Sequence, residues 1–157
     1  MPTCDNPGTG GGGSSSFPFK GAFVTLAVNQ PLPDNVGQII TFGVEQYDIG
    51  GWFDPGDPTK LTVPADVTRV RVCASFVCTL NVNGMRQIVI KKNGADIGPG
   101  TGALNTPANA RTTTDIGAFT AVLEVVPGDY FQVEALQDSG TDPLDLLNAC
   151  FSIEKIS

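Results

Sequence analysis

Histidine is absent from all 157 residues. That removes Ser-His-Asp and Cys-His catalysis, imidazole-ligated zinc, and the commonest general base near neutral pH. Charge is scarce too, at 16% of residues, and it leans one way: 9 Lys and Arg stand against 16 Asp and Glu, a net of −7. A phosphate-binding surface needs clustered cations that release counterions. The only adjacent basic pair here is Lys91-Lys92, beside a turn. No nucleic-acid partner is expected, and an anionic membrane surface fits no better. No apolar run approaches the roughly 20 residues of a membrane-spanning helix, so no membrane insertion is expected either. Amphipathic helices are also missing. No window of ten or more residues with helical spacing survives its own Gly or Pro, and residues 143–148 (PLDLLN) have room for one helical turn only. The start, MPTCDNPGTG, has neither a charged n-region nor an apolar h-region, so no secretion signal of the usual kind is visible.

What is present is strand chemistry. The 19 glycines and 12 prolines, with Val and Thr throughout, fit many short strands joined by turns. The most informative stretch is 60–80, KLTVPADVTRVRVCASFVCTL. Val70, Val72, Ala74, Phe76, Cys78 and Leu80 fall on one face, and Arg71, Cys73, Ser75, Val77 and Thr79 on the other. A period of two over eleven residues predicts a long strand with one apolar face. Pro64-Ala65-Asp66 makes a corner between it and a short strand over 60–63, because proline fixes φ and gives no donor to a ladder.

Further strands are predicted over 22–28, 38–44, 86–92, 112–116, 118–125, 130–136 and 149–156, with a break at Gly117. Asn93-Gly94 signals a type I′ hairpin and Pro127-Gly128-Asp129 a tight turn. Residues 29–35, 98–111 and 137–145 read as loops. Eight to ten strands with turn signals at this spacing predict an all-β antiparallel sandwich or barrel in one domain.

Of the four cysteines, Cys73 and Cys78 sit five apart on one strand and on opposite faces, about 16 Å at roughly 3.3 Å per residue, too far for a disulfide. Cys78 reads as a small core hydrophobe. Cys73 and Cys150 are either a bonded pair on neighbouring strands or free thiols. Residues 1–16, MPTCDNPGTGGGGSSS, are low in complexity. They are either a tail without fixed structure or an anchor peptide. The expectation adopted is the anchor, with Cys4, Phe17 and Phe19 as its contacts.

Few residues suggest chemistry. Asp54/Asp57 and Asp142/Asp145 are the closest carboxylate pairs. A glycosidase uses such pairs and calcium takes such oxygens, but Asp in Gly/Pro-flanked turns ordinarily caps its own backbone. The four glycines at 10–13 lack the following Lys-Ser/Thr of a phosphate loop. Trp52-Phe53 is either a sugar-stacking patch or, the preferred reading, a plug in the edge of the sandwich. No enzymatic activity, metal or cofactor is expected.

These pieces, in their order, resemble a known family: the jelly roll of the complement C-one-q globular head and tumour necrosis factor. The resemblance rests on Tyr47, Trp52-Phe53 and Leu61-Thr62-Val63-Pro64 leading to the long strand, then on Ile90-Lys91-Lys92-Asn93-Gly94. It continues with Pro127-Gly128-Asp129-Tyr130-Phe131-Gln132-Val133 and Cys150-Phe151-Ser152-Ile153, where Ile153 replaces the usual glycine. It implies a two-sheet jelly roll over 22–157 behind an N-terminal arm, 1–21. The sequence is also similar to small surface proteins of tailed bacteriophages. That likeness rests on the Gly/Ser-rich start, Phe19-Lys20-Gly21-Ala22, Tyr47-Asp48 through Trp52, residues 60–64, and Val67-Thr68-Arg69-Val70-Arg71-Val72.

The resemblance implies a trimer whose three-fold axis faces the sheet holding the long and last strands. Carried over, it places Arg71, Cys73, Ser75 and Val77, with Tyr130, Gln132 and Glu134 and with Cys150, Ser152 and Glu154, near that axis. Arg71 would then lie beside Glu134 or Glu154 of a neighbour. The plain alternative for these positions is solvent-facing alternation. The phage likeness implies a virion surface protein, folded in the host cytoplasm: a head fibre, decoration protein or fibre tip. Its implied partners are itself, capsid, portal or tail proteins through the arm, and a host surface glycan. A free-standing carbohydrate- or protein-binding module is the alternative, with a glycan depolymerase behind it.

Overall fold

The computed structural model describes residues 19–98, 113–140 and 143–157, together with the strand path of 103–107. Its thirteen strands are β1 (Gly21–Leu26), β2 (Gln30–Leu32), β3 (Gln38–Ile39), β4 (Phe42–Ile49), β5 (Leu61–Thr62), β6 (Arg69–Thr79), β7 (Met85–Lys92), β8 (Ala95–Asp96), β9 (Ala103–Pro107), β10 (Thr113–Phe119), β11 (Leu123–Glu124), β12 (Tyr130–Gln137) and β13 (Leu144–Lys155). No helix occurs among the described residues.

The strands form two antiparallel sheets. The larger runs β10-β6-β13-β1-β4, with β11 on β6 and β2 on β13; the smaller runs β3-β12-β7-β8, with β5 on β12 and β9 on β7. The alternation of β6 is realised from Arg69 to Thr79: Val70, Val72, Ala74, Phe76 and Cys78 are buried. They meet Ile88, Ile90, Phe131 and Val133 of the other sheet in one core. Leu80 departs from the pattern and is 49% exposed, because β6 ends one residue earlier.

Several turns form for the reasons the sequence supplies. Asn93 and Gly94 both have positive φ, 54° and 79°, the pair of left-handed conformations a type I′ hairpin requires. Asp129 closes the turn before β12: its carboxylate accepts from Asn93 Nδ2 at 2.7 Å and Val126 N at 2.9 Å and pairs with Lys92 at 2.8 Å. Burial opposes its charge, but these bonds from Asn93, Lys92 and Val126 hold the carboxyl below the ordinary value. Trp52 is a plug: 1% exposed, with Nε1 donating to Ile49 O, while the Asp48 carboxylate accepts from the backbone N–H groups of residues 51, 52 and 53.

Four expectations are corrected. The run 38–44 is two strands in different sheets: β3 pairs with β12, Ile40 N still donates to Val133 O, and β4 then joins β1. Periodicity reads burial and not sheet membership, so the crossing was invisible. Residues 143–148 make no helical turn; Leu144–Leu146 pair with β2, and a bulge before Asn148 lets β13 continue onto β6. The loop 98–111 contains β9, paired with β7 from Val89 to Met85. Gly117 does not break its strand either, since β10 runs through it opposite Ser75.

Candidate functional site

The outer face of the larger sheet carries most of the residues singled out above. Antiparallel register aligns them in rows across the strands. One row is Phe119, Cys73, Ser152, Phe23 and Tyr47; the next is Gly117, Ser75, Cys150, Thr25 and Val44. Asp115, Val77 and Asn148 make a third, and Arg71, Glu154, Gly21 and Ile49 a fourth.

This surface is mostly apolar or small. Phe119 is 74% exposed, Ile49 50% and Val44 39%. Phe23 and Phe19 both pack on Tyr47, with ring centroids 6.0 and 5.8 Å away. Glycine, serine, cysteine and threonine in the middle rows leave the backbone open to close approach. Its charges lie on the periphery. Arg71 and Glu154 are cross-strand partners, and among the described residues no salt bridge occupies either.

The two thiols on this face are free. Cys150 lies opposite Ser75, with Ser75 Oγ 3.0 Å from its Sγ, and Cys73 lies opposite Ser152, so the cysteines are diagonal rather than paired. Burial raises the Cys73 pKa, and Glu154 adds to it, so the group is a protonated thiol at neutral pH. Burial likewise raises Cys78, which lies inside the core. Tyr47 is raised for the same two reasons as Cys73, burial first and Glu154 second.

The structure does not bring Tyr130, Gln132 and Glu134 to this face. They are on β12, in the other sheet, and each has a partner there. Glu134 pairs with Lys91 at 3.2 Å, Gln132 Nε2 reaches Thr59 Oγ1 at 3.4 Å, and Lys60 lies 5.3 Å above the Tyr130 ring. The grouping of all ten positions on one face is therefore corrected to seven: Arg71, Cys73, Ser75, Val77, Cys150, Ser152 and Glu154. The error was one of sheet assignment, since an outward position on β12 looks like one on β6 when only alternation is read. Phe119, Phe23 and Tyr47 are the residues sequence reasoning missed. Their signal was an aromatic on the outward parity of a strand, as when Thr114, Ile116 and Ala118 point in and leave Phe119 out.

Cys4 and Phe17 lie outside the described residues. Phe19 is described, and it rests on its own domain, edge-on to Tyr47. The carboxylate pairs are structural where they are described: Asp54 accepts from Gly56 N at 2.8 Å, and Asp57 binds Lys60 at 2.7 Å and the Thr59 hydroxyl at 2.6 Å. Asp142 lies outside the described residues, and Asp145 is exposed. Among the described residues no three His, Cys, Asp or Glu side chains converge as metal ligands would.

The segments 29–35 and 137–145 are not loop throughout, since the first contains β2 and the second takes in the end of β12 and the start of β13. At one end of the sandwich the loops beside these strands are tied together. Asn35 N donates to Gln137 O at 2.8 Å, Gln137 Nε2 to Leu32 O at 3.2 Å, and Gly140 N to Asp34 Oδ1 at 2.8 Å. The chain enters β1 at the opposite end, where Gly21 faces Glu154 and Ile49.

No protein-family model matches this chain, and no curated protein sequence matches it. Solved structures do. The globular domain of a zebrafish complement 1qA protein superposes with a TM-score of 0.62 at 15% identity, covering 89% of this chain and 98% of that one. Murine APRIL gives 0.65 at 10% identity, covering 88% and 100%. Eiger TNF from S. frugiperda gives 0.53 at 12% identity, covering 89% and 94%. At these identities the likeness is one of fold, and the chain has the two-sheet jelly roll of complement C-one-q and tumour-necrosis-factor domains.

Proposed function

We propose that this chain is a homotrimeric, non-enzymatic module that assembles through the outer face of its larger sheet and presents the 29–35 and 137–145 loops for recognition. The observation that carries the reading is the row Phe119-Cys73-Ser152-Phe23-Tyr47 beside Gly117-Ser75-Cys150-Thr25-Val44. A 74% exposed phenylalanine on a face of small and apolar residues, with charges only at its border, has the make-up of a covered interface core. Recognition loops at the end of a rigid sandwich are the usual arrangement for binding. Absolute mass in solution tests the assembly, for the full chain and for one lacking residues 1–16. Trimers of about 49 kDa, three times 16.4 kDa, are expected for the full chain, and the shortened chain should also be three-fold. A full-length monomer at micromolar concentration refutes the interface.

We further read the module as a virion surface component of a tailed phage-like particle, with the N-terminal arm engaging capsid, portal or tail and the loops facing a host glycan. Support comes from the sequence likeness over residues 19–22, 47–52, 60–64 and 67–72 and from the Gly/Ser-rich start. Purified particles should contain the protein, and chains lacking residues 1–16 should be missing from them. A second reading, a free-standing recognition module, draws on the fold shared with the complement 1qA domain. It predicts saturable glycan or protein binding by the isolated domain and an arm without effect on location.

A further inference from the structure

The sequence holds two Asn-Gly dipeptides, and the fold treats them in opposite ways. Asn93-Gly94 is the β7–β8 hairpin turn. Its side chain is held at both atoms: Nδ2 donates to Asp129 Oδ1 at 2.7 Å, and Oδ1 accepts from Tyr130 N at 2.9 Å. Asn83-Gly84 lies in the loop between β6 and β7, and both residues are exposed. The Asn83 side chain makes no hydrogen bond to any described residue, and neither does Gly84 N. The Asn83 carbonyl, by contrast, is gripped by a cation. Arg86 is fully buried, and its Nη1 donates to Asn83 O at 3.1 Å and to Met85 O at 2.9 Å, while Nη2 donates to Asn81 O at 3.1 Å. Among the described residues no carboxylate forms a salt bridge with it, so a permanent positive charge rests on loop carbonyls. The Asp138 carboxylate accepts from the backbone N–H of Met85 and lies against the Cα of Gly84, where only glycine leaves room for it.

We infer that Asn83 is a site of spontaneous deamidation, promoted by Arg86, which places a new carboxylate in the 81–84 loop at the recognition end of the sandwich. The step needs only water. Base removes the Gly84 N–H proton, and the nitrogen attacks Asn83 Cγ. The side-chain nitrogen leaves as ammonia, which closes a five-membered succinimide. Water then opens the ring at either carbonyl, giving aspartate or isoaspartate. Loss of the Gly84 proton puts negative charge on Asn83 O, the atom to which the Arg86 guanidinium donates. A fixed cation aimed at a developing oxyanion lowers the barrier without reorganisation. Glycine offers no side chain to shield its nitrogen. At Asn93 the same reaction would have to break the two side-chain hydrogen bonds to Asp129 and Tyr130.

The test is peptide mapping by mass spectrometry of the full chain incubated near pH 8, native or unfolded in guanidinium chloride. The same following residue gives both asparagines similar intrinsic rates, so the unfolded chain is the internal reference. Asn83 should react faster in the native protein than in the unfolded one, by roughly tenfold for one charge-assisted bond strengthened in the transition state. Asn93 should react more slowly in the native protein than when unfolded. Mere exposure of the loop predicts a native rate at Asn83 no greater than the unfolded rate, and that result overturns the proposal. So does native reaction at Asn93 as fast as at Asn83.

Discussion

Phe119 offers the sharpest handle on the proposed assembly face. Its ring is 74% exposed on β10, an edge strand of the larger sheet, and it lies in register with Cys73. A phenylalanine carries on the order of 200 Å² of apolar surface, so an interface covering the exposed share removes about 150 Å² from water. At about 25 cal/mol per Å² that is nearly 4 kcal/mol per protomer. Truncation in Phe119→Ala keeps the Cβ and gives up about 3 kcal/mol per protomer, about 9 kcal/mol per trimer. Because a trimer's midpoint concentration scales as the inverse square root of its association constant, that loss raises the midpoint roughly a thousandfold. Sedimentation equilibrium over a dilution series, wild type against variant, measures it. In the single chain the ring is in solvent, so the monomer's denaturant stability should change by no more than about 0.5 kcal/mol. A variant midpoint within a few-fold of wild type would show that Phe119 is not at the interface, and the row reasoning falls with it.

Other expectations follow from the packing. Trp52→Ala removes a 1% exposed side chain and its bond to Ile49 O, and should cost about 3–5 kcal/mol in guanidinium unfolding; a loss below about 1 kcal/mol would contradict the plug. Asp129→Ala leaves Asn93 Nδ2 and Val126 N without their acceptor and Lys92 with only the Glu124 carbonyl, and should cost about 2–4 kcal/mol by the same assay, or the turn before β12 does not depend on it. Hydrogen bonds from Lys20 and Lys155 lower the Asp66 pKa to about 2. A folded value below the unfolded one, near 3.9, contributes stability that is complete above the unfolded value and disappears as pH falls through about 2. Carbon-detected titration should find that midpoint; one at the unperturbed value would mean that neither lysine holds the carboxylate.

How much of this was legible varies with the physics involved. The β6 face could be read because alternation is local: each inward side chain reports its own burial. The Asn93-Gly94 hairpin was legible because few dipeptides accept two positive φ values. The turn at 127–129 was legible for the similar reason that proline and glycine fill fixed positions. The crossing at Ile40 was not, because a residue buried between sheets looks the same whichever sheet its neighbours join. The 143–148 strand was masked by Leu-rich composition, and only its pairing with Gln30–Leu32 decides it. Arg86 shows the opposite failure. Its parity with Ile88 and Ile90 points it inward, yet a charge at an inward position reads as a strand boundary until the loop carbonyls that surround it are known.

The topology also says how an arm and a set of loops can work in one assembly. β1 begins at Gly21 opposite Glu154, where β13 is ending, while β2 meets the start of β13 at Leu32 and Leu144. The arm therefore leaves from one end of the sandwich, and the loops 29–35 and 137–145 sit at the other. Phe19 on Tyr47 directs the last arm residues along the outer face, toward the β4 edge. A closed three-fold assembly about an axis roughly along the strands keeps equivalent ends together. It would gather three arms at one pole and three loop pairs at the other. Attachment and recognition then compete for no surface, and three weak loop contacts gain from being presented in one plane. The arrangement makes a directional demand: fusing a bulky domain ahead of residue 1 should block attachment while leaving the loop pole free, whereas an insertion in the 137–145 loop should do the reverse. If either change blocked both, attachment and recognition would share a surface, against the entry of the chain into β1 at the end opposite Leu32 and Leu144.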